Sequence, residues 1–357
     1  MDALTHPRDH QGLEQGWISF LPFQILIGDA FRERAAQMQL HPTPVEKDFW
    51  VCYLLRELFS LDCVKDQLIF KGGTSLSKTY GLIQRFSEDI DLSIHASTFG
   101  IDLESHLSEL SPSEDKIEVS RLFKAAAQFV DESFIPELRA RLEESLPEGN
   151  WRLQPHRRSD DLNIILFKYH RLIQDGKQPH YTSPEVQIEI GVRAEHDPAE
   201  QRIVRPYVAE QFPDIFEQPD AKVKVLSAKR TFWEKATIYH AESFKPAGQP
   251  WTRRYARHAY DLHQLMNSEI GEEALRDLDL LKRVAVHKAT FHASKGVNYH
   301  QAYQGNLRLS PKGSRQEELA DDYKAMKDFF MTDNPPPFEK ILKSLETIEQ
   351  RTNAALS

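Results

Sequence analysis

Apolar and polar positions follow two rhythms along this chain, and each predicts a kind of element. Over 45–59 (VEKDFWVCYLLRELF), Phe49, Trp50, Tyr53, Leu54 and Leu58 recur at helical spacing. The stretch 17–40 reads as helical in its second half, with Pro42 and Pro44 as punctuation after it. A short apolar run at 67–70 (QLIF) is broken by Gly72 and Gly73, and 74–82 can then start a helix. The next rhythm has period two: Ile90 and Leu92 point into a core, while Asp89 and Asp91 share the other face of a strand. Loop-rich sequence from 99 to 118 gives way to helical periodicity over 119–145. Two further strands are expected at 162–169 (LNIILFKY) and 184–192 (PEVQIEIGV), joined by the polar hairpin-like loop QDGKQPHYTS. In the second, Val186, Ile188 and Ile190 alternate with Gln187, Glu189 and Gly191, as in a half-buried strand.

From about 217 the character changes. Segments 224–240, 255–266 and 272–287 are helical by period. The run Asn334-Pro335-Pro336-Pro337 breaks the chain, and 338–353 reads as a final amphipathic helix. There is no internal repeat and no low-complexity segment. The expected class is α+β: a mixed sheet flanked by helices over residues 1–215, followed by a mostly helical C-terminal domain over 216–357. The core of the first domain is the strand–turn–helix–strand unit at 67–95, with a third strand at 184–192.

Composition narrows the class. The 357 residues have room for two domains, and 40% hydrophobic with 28% charged residues is the balance of a soluble protein. No apolar run approaches the roughly 20 residues of a membrane-spanning helix, so no membrane partner is expected. The N-terminal MDALTHPRDHQGLEQG lacks the basic start and apolar stretch of a signal peptide. Cys52 and Cys63 both sit among apolar residues and read as reduced thiols, which favours a cytoplasmic location. Two cysteines exclude a zinc ribbon or finger, although 15 histidines leave His-based metal sites open. A net charge of −9 argues against a wholly nucleic-acid-binding surface, but basic residues are unevenly placed. Lys222, Lys224, Lys229, Arg230 and Lys235 cluster, followed by Arg253, Arg254 and Arg257, then Lys282, Arg283, Lys288 and Lys295 with His287 and His292. Phe232, Trp233, Trp251 and Tyr255 interleave with them. These stretches read equally as solvated helix faces with aromatic anchors or as an RNA- or phosphate-facing surface.

The candidate chemistry lies at 70–92. Gly72-Gly73-Thr74 after a strand lets backbone approach a phosphate, and the following helix offers unpaired N–H groups to it. Asp89 and Asp91 side by side repel, a cost that a divalent cation offsets; Mg²⁺ held by one or two carboxylates plus substrate phosphates is the usual arrangement. A D-x-D alone would read as a strand ending in an acidic turn. The ordered combination of Phe70-Lys71-Gly72-Gly73-Thr74-Ser75-Leu76, Arg85-Phe86-Ser87 and Asp89-Ile90-Asp91-Leu92 is harder to read that way. Glu189, on the polar face of its strand, is the candidate third carboxylate, against the plainer reading of an exposed strand glutamate. Glu185 and Glu195 are weaker candidates, at strand ends or in loops. Lys235 flanks the apolar face marked by Phe232, Trp233, Ala236 and Tyr239 and can reach a triphosphate, or it can snorkel beside Glu234. Arg257 and Asp261, four apart, are helix neighbours, as in an ordinary helix ion pair.

The GG-T/S-x-L turn with D-x-D resembles the DNA polymerase β-like nucleotidyltransferase superfamily. Over about 45–265 the chain is similar to the AbiEii/AbiGii toxin family within it. The likeness runs from Val45-Glu46-Lys47-Asp48-Phe49-Trp50 through GGTSLSK, RFSEDIDL and VLSAKRTFWEKATIYH to RRYARHAYDL. The resemblance implies a nucleotidyltransferase-type sheet and catalytic roles for Asp89, Asp91, Lys235 and Asp261. It implies nucleotide binding at Gly72, Gly73, Thr74, Ser75 and Ser87, and metal at Asp89 and Asp91, with Glu189 where many members have Asp. Arg85 becomes a phosphate or structural partner. The implied reaction moves a nucleoside monophosphate from an NTP to a hydroxyl, with Mg²⁺ as cofactor and Mn²⁺ as the alternative metal. The implied acceptor is the 3′ end of tRNA, in a toxin–antitoxin or abortive-infection setting with a cognate antitoxin that need not bind directly. A protein or small-molecule acceptor and a catalytically silent binding module are the rival expectations. The tail from 270 to 357 matches no motif.

Overall fold

The computed structural model describes residues 21–100, 112–156, 163–173, 183–216, 218–246, 248–292, 296–326, 330–331 and 334–357. Helices α1 (Leu21–Met38) and α2 (Pro42–Leu58) lead into β1 (Leu68–Lys71), α3 (Gly72–Tyr80) and β2 (Ile90–Ile94). Proline is at home in the first turn of a helix, so Pro42 and Pro44 open α2 rather than precede it. Helices α4 (Pro112–Phe129) and α5 (Ile135–Ser145) follow, joined through a π-helical turn at Val130–Phe134. Part of the expected loop-rich stretch is therefore helix from Pro112 onward, while 101–111 lies outside the described residues.

Strands β3 (Trp151–Pro155), β4 (Asn163–Tyr169), β5 (Glu185–Gly191), β6 (Ala199–Val204) and β7 (Ala221–Leu226) complete one seven-stranded sheet, ordered β3-β4-β5-β2-β1-β7-β6. A short helix, α6 (Tyr207–Gln211), lies between β6 and β7. Pairs β2–β5 and β1–β7 are parallel and the remaining pairs antiparallel. Most of the expected loop between the two anticipated strands, 174–182, lies outside the described residues.

The start of the expected helix at 224–240 is strand instead. Ala221, Val223 and Val225 are buried and alternate with Lys222 and Lys224, a period of two, and the helix begins only after Ser227. The Ser227 side chain accepts from the Arg230 N–H and caps α7 (Ala228–Glu242). Helices α8 (Ala256–Met266), α9 (Glu269–Arg276), α10 (Leu278–Phe291), α11 (Ser314–Lys324) and α12 (Phe338–Leu356) follow. The single helix expected at 272–287 is two, because the Asp277 carboxylate accepts from Leu280 N–H at 3.1 Å and starts α10 afresh.

The apolar residues form two separate cores. One, with Phe49, Trp50, Phe70, Leu92, Ile188 and Val225, lies between the sheet and the helices before it. The other, with Phe232, Trp233, Tyr260, Leu281 and Leu345, belongs to the C-terminal helices and takes only Leu76 and Ile83 from before residue 228. Both cysteines are free thiols. No helix among the described residues is long and apolar enough to cross a membrane.

The V-E-K-D-F-W segment of α2 anchors the sheet's connections through buried polar groups. Glu46 accepts from the Leu172 N–H at 2.7 Å, and Lys47 pairs with Glu88, beside the D-x-D. Asp48 pairs with Lys78 of α3 at 2.6 Å and accepts from the Tyr207 N–H at 2.7 Å. Phe49 and Trp50 enter the core. Removing one partner of a buried pair strands the other charge. Asp48→Ala should cost about 3–5 kcal/mol in urea denaturation, and Asp48→Ala/Lys78→Met should recover most of that loss. A loss under about 1 kcal/mol for the single variant would contradict the anchoring role.

Candidate active site

Strand β1 ends at Lys71, and the backbone turns at Gly72 with φ +81°, a left-handed conformation that glycine adopts freely. A Cβ at Gly72 would stand 1.9 Å from Asp91 Oδ2, so the turn needs glycine for space as well as for conformation. Gly73 is equally confined: its Cβ would lie 2.6 Å from Arg85 Nη2 and 3.1 Å from Ser87 Oγ. The turn is thus pressed against the carboxylate strand on one side and the loop before it on the other.

Sheet register brings the carboxylates together. Asp91 lies opposite Lys71 across the antiparallel β1–β2 pair and opposite Glu189 across the parallel β2–β5 pair. Asp89 falls just before β2, in the loop from Ser87, rather than within the strand as expected. Burial, with Asp91, Glu88 and Glu189 close by, pushes the Asp89 carboxyl up to about 7 against the smaller pull of Lys47. Glu189 is also raised, by burial and by Asp91, although Gln187 donates to its carboxylate.

These carboxylates share their cleft with several cations. An open cleft of about 830 Å³ is lined by Asp89, Asp91 and Glu189, by Gly72, Gly73 and Ser87, and by Lys71, Arg85, Lys235, Arg257, His258 and Lys288. Lys235 comes from α7, whose Thr231, Glu234 and Ile238 also line it, one helix face at i, i+3, i+4 and i+7. Asp261 is fully buried behind Lys235 and outside the lining. Its carboxylate accepts from Lys235 Nζ at 2.9 Å and from Arg85 Nε and Nη2 at 2.7 Å each. Burial would raise the Asp261 carboxyl, but Arg85 and Lys235 outweigh it and hold the group well below the usual carboxylate range. Burial lowers Lys235, opposed by Asp261 and reinforced by Arg85.

The remaining expected residues take other places. Thr74 and Ser75 are buried: Thr74 Oγ1 donates to the Asp89 carbonyl at 2.6 Å, and Ser75 Oγ donates to the Gly72 carbonyl at 2.9 Å. Their hydroxyls brace the turn. Ser87 Oγ lies 2.8 Å from Thr74 Oγ1 and faces the cleft. Glu195 pairs with Arg230 and Arg283, and Glu185 with Lys168, so neither lines the cleft. Of the basic stretches, Lys229 pairs with Glu273, while Phe232 and Trp233 are core residues. Lys295 lies outside the described residues.

Sequence reasoning missed Lys71, His258 and Lys288 as cleft residues and read Arg257 as the helix partner of Asp261. Instead Arg85 and Lys235 occupy that carboxylate, and the buried Arg257 Nε has no hydrogen-bond partner among the described residues. His258 Nδ1 is likewise unpartnered, and burial with Lys235 and Arg257 keeps the imidazole neutral near pH 7. The sequence held one usable signal: Lys71 precedes Gly72 and must accompany the turn into any site there.

The sequence profile of the family described as "Nucleotidyl transferase AbiEii toxin, Type IV TA system" matches residues 53–344. The chain belongs to this family of nucleotidyltransferase toxins. Membership implies a nucleotide substrate and a cognate antitoxin. Among solved structures, the chain is similar to MenT4, a nucleotidyltransferase toxin from Mycobacterium tuberculosis H37Rv, at 15% identity and a TM-score of 0.44, over 93% of this chain and 98% of that one. No curated protein sequence matches.

The carboxylates suit a divalent cation in one respect. None of Asp89, Asp91 and Glu189 has a lysine, arginine or histidine within ion-pair distance among the described residues. No group of three His, Cys, Asp or Glu there is close enough to form a finished metal cage. Mg²⁺ needs no such cage, because substrate phosphates and water fill most of its coordination.

A carboxyl raised by burial binds its proton more tightly in the folded state. Metal-free protein should therefore lose stability as pH rises from about 4 to about 7. Asp89→Asn removes that contribution: thermal unfolding midpoints of the two proteins should agree near pH 4 and separate in favour of the variant by pH 8. At 1.36 kcal/mol per unit the gain is at most about 4 kcal/mol, less after solvent screening. Curves that stay parallel across the range would show that Asp89 is not perturbed.

Proposed function

We propose that this family member transfers a nucleoside monophosphate from an NTP to the 3′ end of tRNA in a Mg²⁺-dependent reaction, blocking translation. The observation that carries this reading is the cleft itself, which Asp89, Asp91 and Glu189 share with Lys71, Lys235, Arg257 and Lys288. A triphosphate needs both kinds of group: cations for its oxygens and carboxylates for the metal that accompanies it.

Each residue then has a role. Asp89 and Asp91, with Glu189 beside them, would hold Mg²⁺, with Mn²⁺ as the alternative. Bound there, the metal would neutralise phosphate charge and lower the pKa of the attacking hydroxyl. Backbone N–H groups of Gly72, Gly73, Thr74 and Ser75, at the N-terminus of α3, would take the β- and γ-phosphates. Ser87 Oγ would add a hydrogen bond. Lys235 would stabilise charge developing on the departing pyrophosphate, and Asp261 would hold that lysine in place. Arg257 Nε is free to bind a phosphate oxygen without breaking an internal bond. No covalent enzyme intermediate is required; catalysis is positioning and electrostatics. The sheet region of 1–215 would supply the carboxylates, and the helices of 216–357 would complete the site.

The expected setting is the cytoplasm, beside an antitoxin that acts on the same process.

Incubation with total tRNA, Mg²⁺ and each α-phosphate-radiolabelled NTP in turn should label tRNA with one or two of the nucleotides. Asp89→Ala should abolish labelling while keeping the fold, because it relieves a repelling pair. Lys235→Met should lower kcat/KM by roughly 100-fold or more. Label on protein or small molecules instead would move the acceptor, and no transfer to anything would indicate a silent binding module. Full activity in Asp89→Ala would remove the metal-site assignment.

A further inference from the structure

A second cavity of about 780 Å³ opens among the C-terminal helices, lined by Ser243, Trp251, Arg308, Ser310, Lys312, Arg315 and Glu349 among others. Most of its lining comes from residues after 270, and it shares no lining residue with the transfer cleft. Its walls are largely hydrogen-bond donors. Arg308 and Lys312 are exposed and make no ion pair among the described residues. The Arg308 guanidinium lies 4.8 Å from the Phe244 ring centre, stacked so that its edge stays available. Trp251 is 7% exposed, yet its Nε1 donor has no hydrogen-bond partner among the described residues, and the buried Ser310 Oγ has none there either. An orphaned buried donor costs free energy, which an ordered water or a ligand group offsets.

The cavity is rigidly built. The Arg308 N–H donates to His240 Nδ1 at 3.1 Å, and the Leu307 N–H donates to Asn353 Oδ1 at 2.8 Å. Glu349 Oε2 accepts from the Leu309 and Ser310 N–H groups at 2.5 and 2.9 Å, so the one acid of the lining is committed to holding the loop. Arg315 is committed too, donating to the Ser243, Lys245 and Pro246 carbonyls. Its charge remains in the cavity.

We propose that this cavity binds a phosphate group, with Arg308 and Lys312 as the cations and Trp251 Nε1 and Ser310 Oγ as neutral donors. Two sources share that chemistry: a backbone phosphate of an RNA, or the phosphates of a free nucleotide. Geometry allows the first. Lys235 and Ser243 lie eight residues apart on and just past α7, about 12 Å along its axis. One small ligand cannot reach both sites, but a polyanion chain can.

The test needs no transfer activity, so it stands apart from the reaction proposed above. Binding of a fluorescein-labelled RNA hairpin to the full chain is read by anisotropy across a salt series, and pyrophosphate binding by tryptophan fluorescence. Trp251→Phe identifies which part of the fluorescence signal reports the cavity. If the ligand is RNA, Arg308→Gln/Lys312→Gln should weaken hairpin binding about tenfold and reduce the log–log salt slope by roughly 1–2. If it is a free nucleotide, hairpin binding is unchanged and the double variant instead loses the Trp251-dependent response to pyrophosphate. Both altered side chains are exposed, and an unchanged unfolding midpoint will show that the fold is intact. Hairpin binding and pyrophosphate response both equal to those of the unaltered chain would overturn the proposal.

Discussion

The carboxylate of Asp261 is the point on which the cleft depends. It is fully buried, and two cations share it: Arg85 from the loop before the D-x-D, bidentate at 2.7 Å, and Lys235 from α7 at 2.9 Å. Bidentate geometry and near-complete burial make this a strong contact, and losing Asp261 would leave two buried cations uncompensated. It is also a joint between regions. Arg85 belongs to the loop that confines Gly73, whereas Lys235 and Asp261 stand on two packed C-terminal helices. One negative charge against two positive ones leaves an excess cation at the edge of the cleft, where a polyphosphate would enter.

At the carboxylates the constraint is the sheet. Side chains on paired strands have no freedom to separate, so the register that sets Asp91 against Glu189 and Lys71 fixes a row of carboxylate, carboxylate and ammonium. Folding energy from the apolar face of the same strands, through Ile90, Leu92, Ile188 and Ile190, holds the repelling groups together. The charged face would not assemble without the greasy one behind it.

Much of this was legible in the chain because it is local. A glycine pair after an apolar run and two aspartates two apart carry their geometry within about twenty residues, and the helical C-terminal half is written in plain periodicity. What failed to show is non-local or faint. Strands β3 and β6 are the two edges of the sheet and have mostly exposed residues, so no apolar alternation marks them. Only Ser227 separates strand β7 from the helix that follows, so its period merges with the helical one. Lys288 stood in a basic stretch that read equally as a solvated face or a phosphate-facing one, and Arg257 looked like the neighbour of Asp261; only tertiary packing shows that Arg85, 176 positions away, takes that carboxylate.

The order of the site along the chain has a consequence for synthesis. The turn and the carboxylates lie between residues 72 and 189, whereas Lys235, Asp261 and Lys288 come later, and β7 closes onto β1 only once residue 226 is made. A nascent or prematurely released chain therefore carries the carboxylates with Lys71 and Arg85 but without Lys235, Arg257 and Lys288. For a toxin this places the hazardous species at the end of translation, so that abandoned fragments left by a stalled ribosome lack the assembled site.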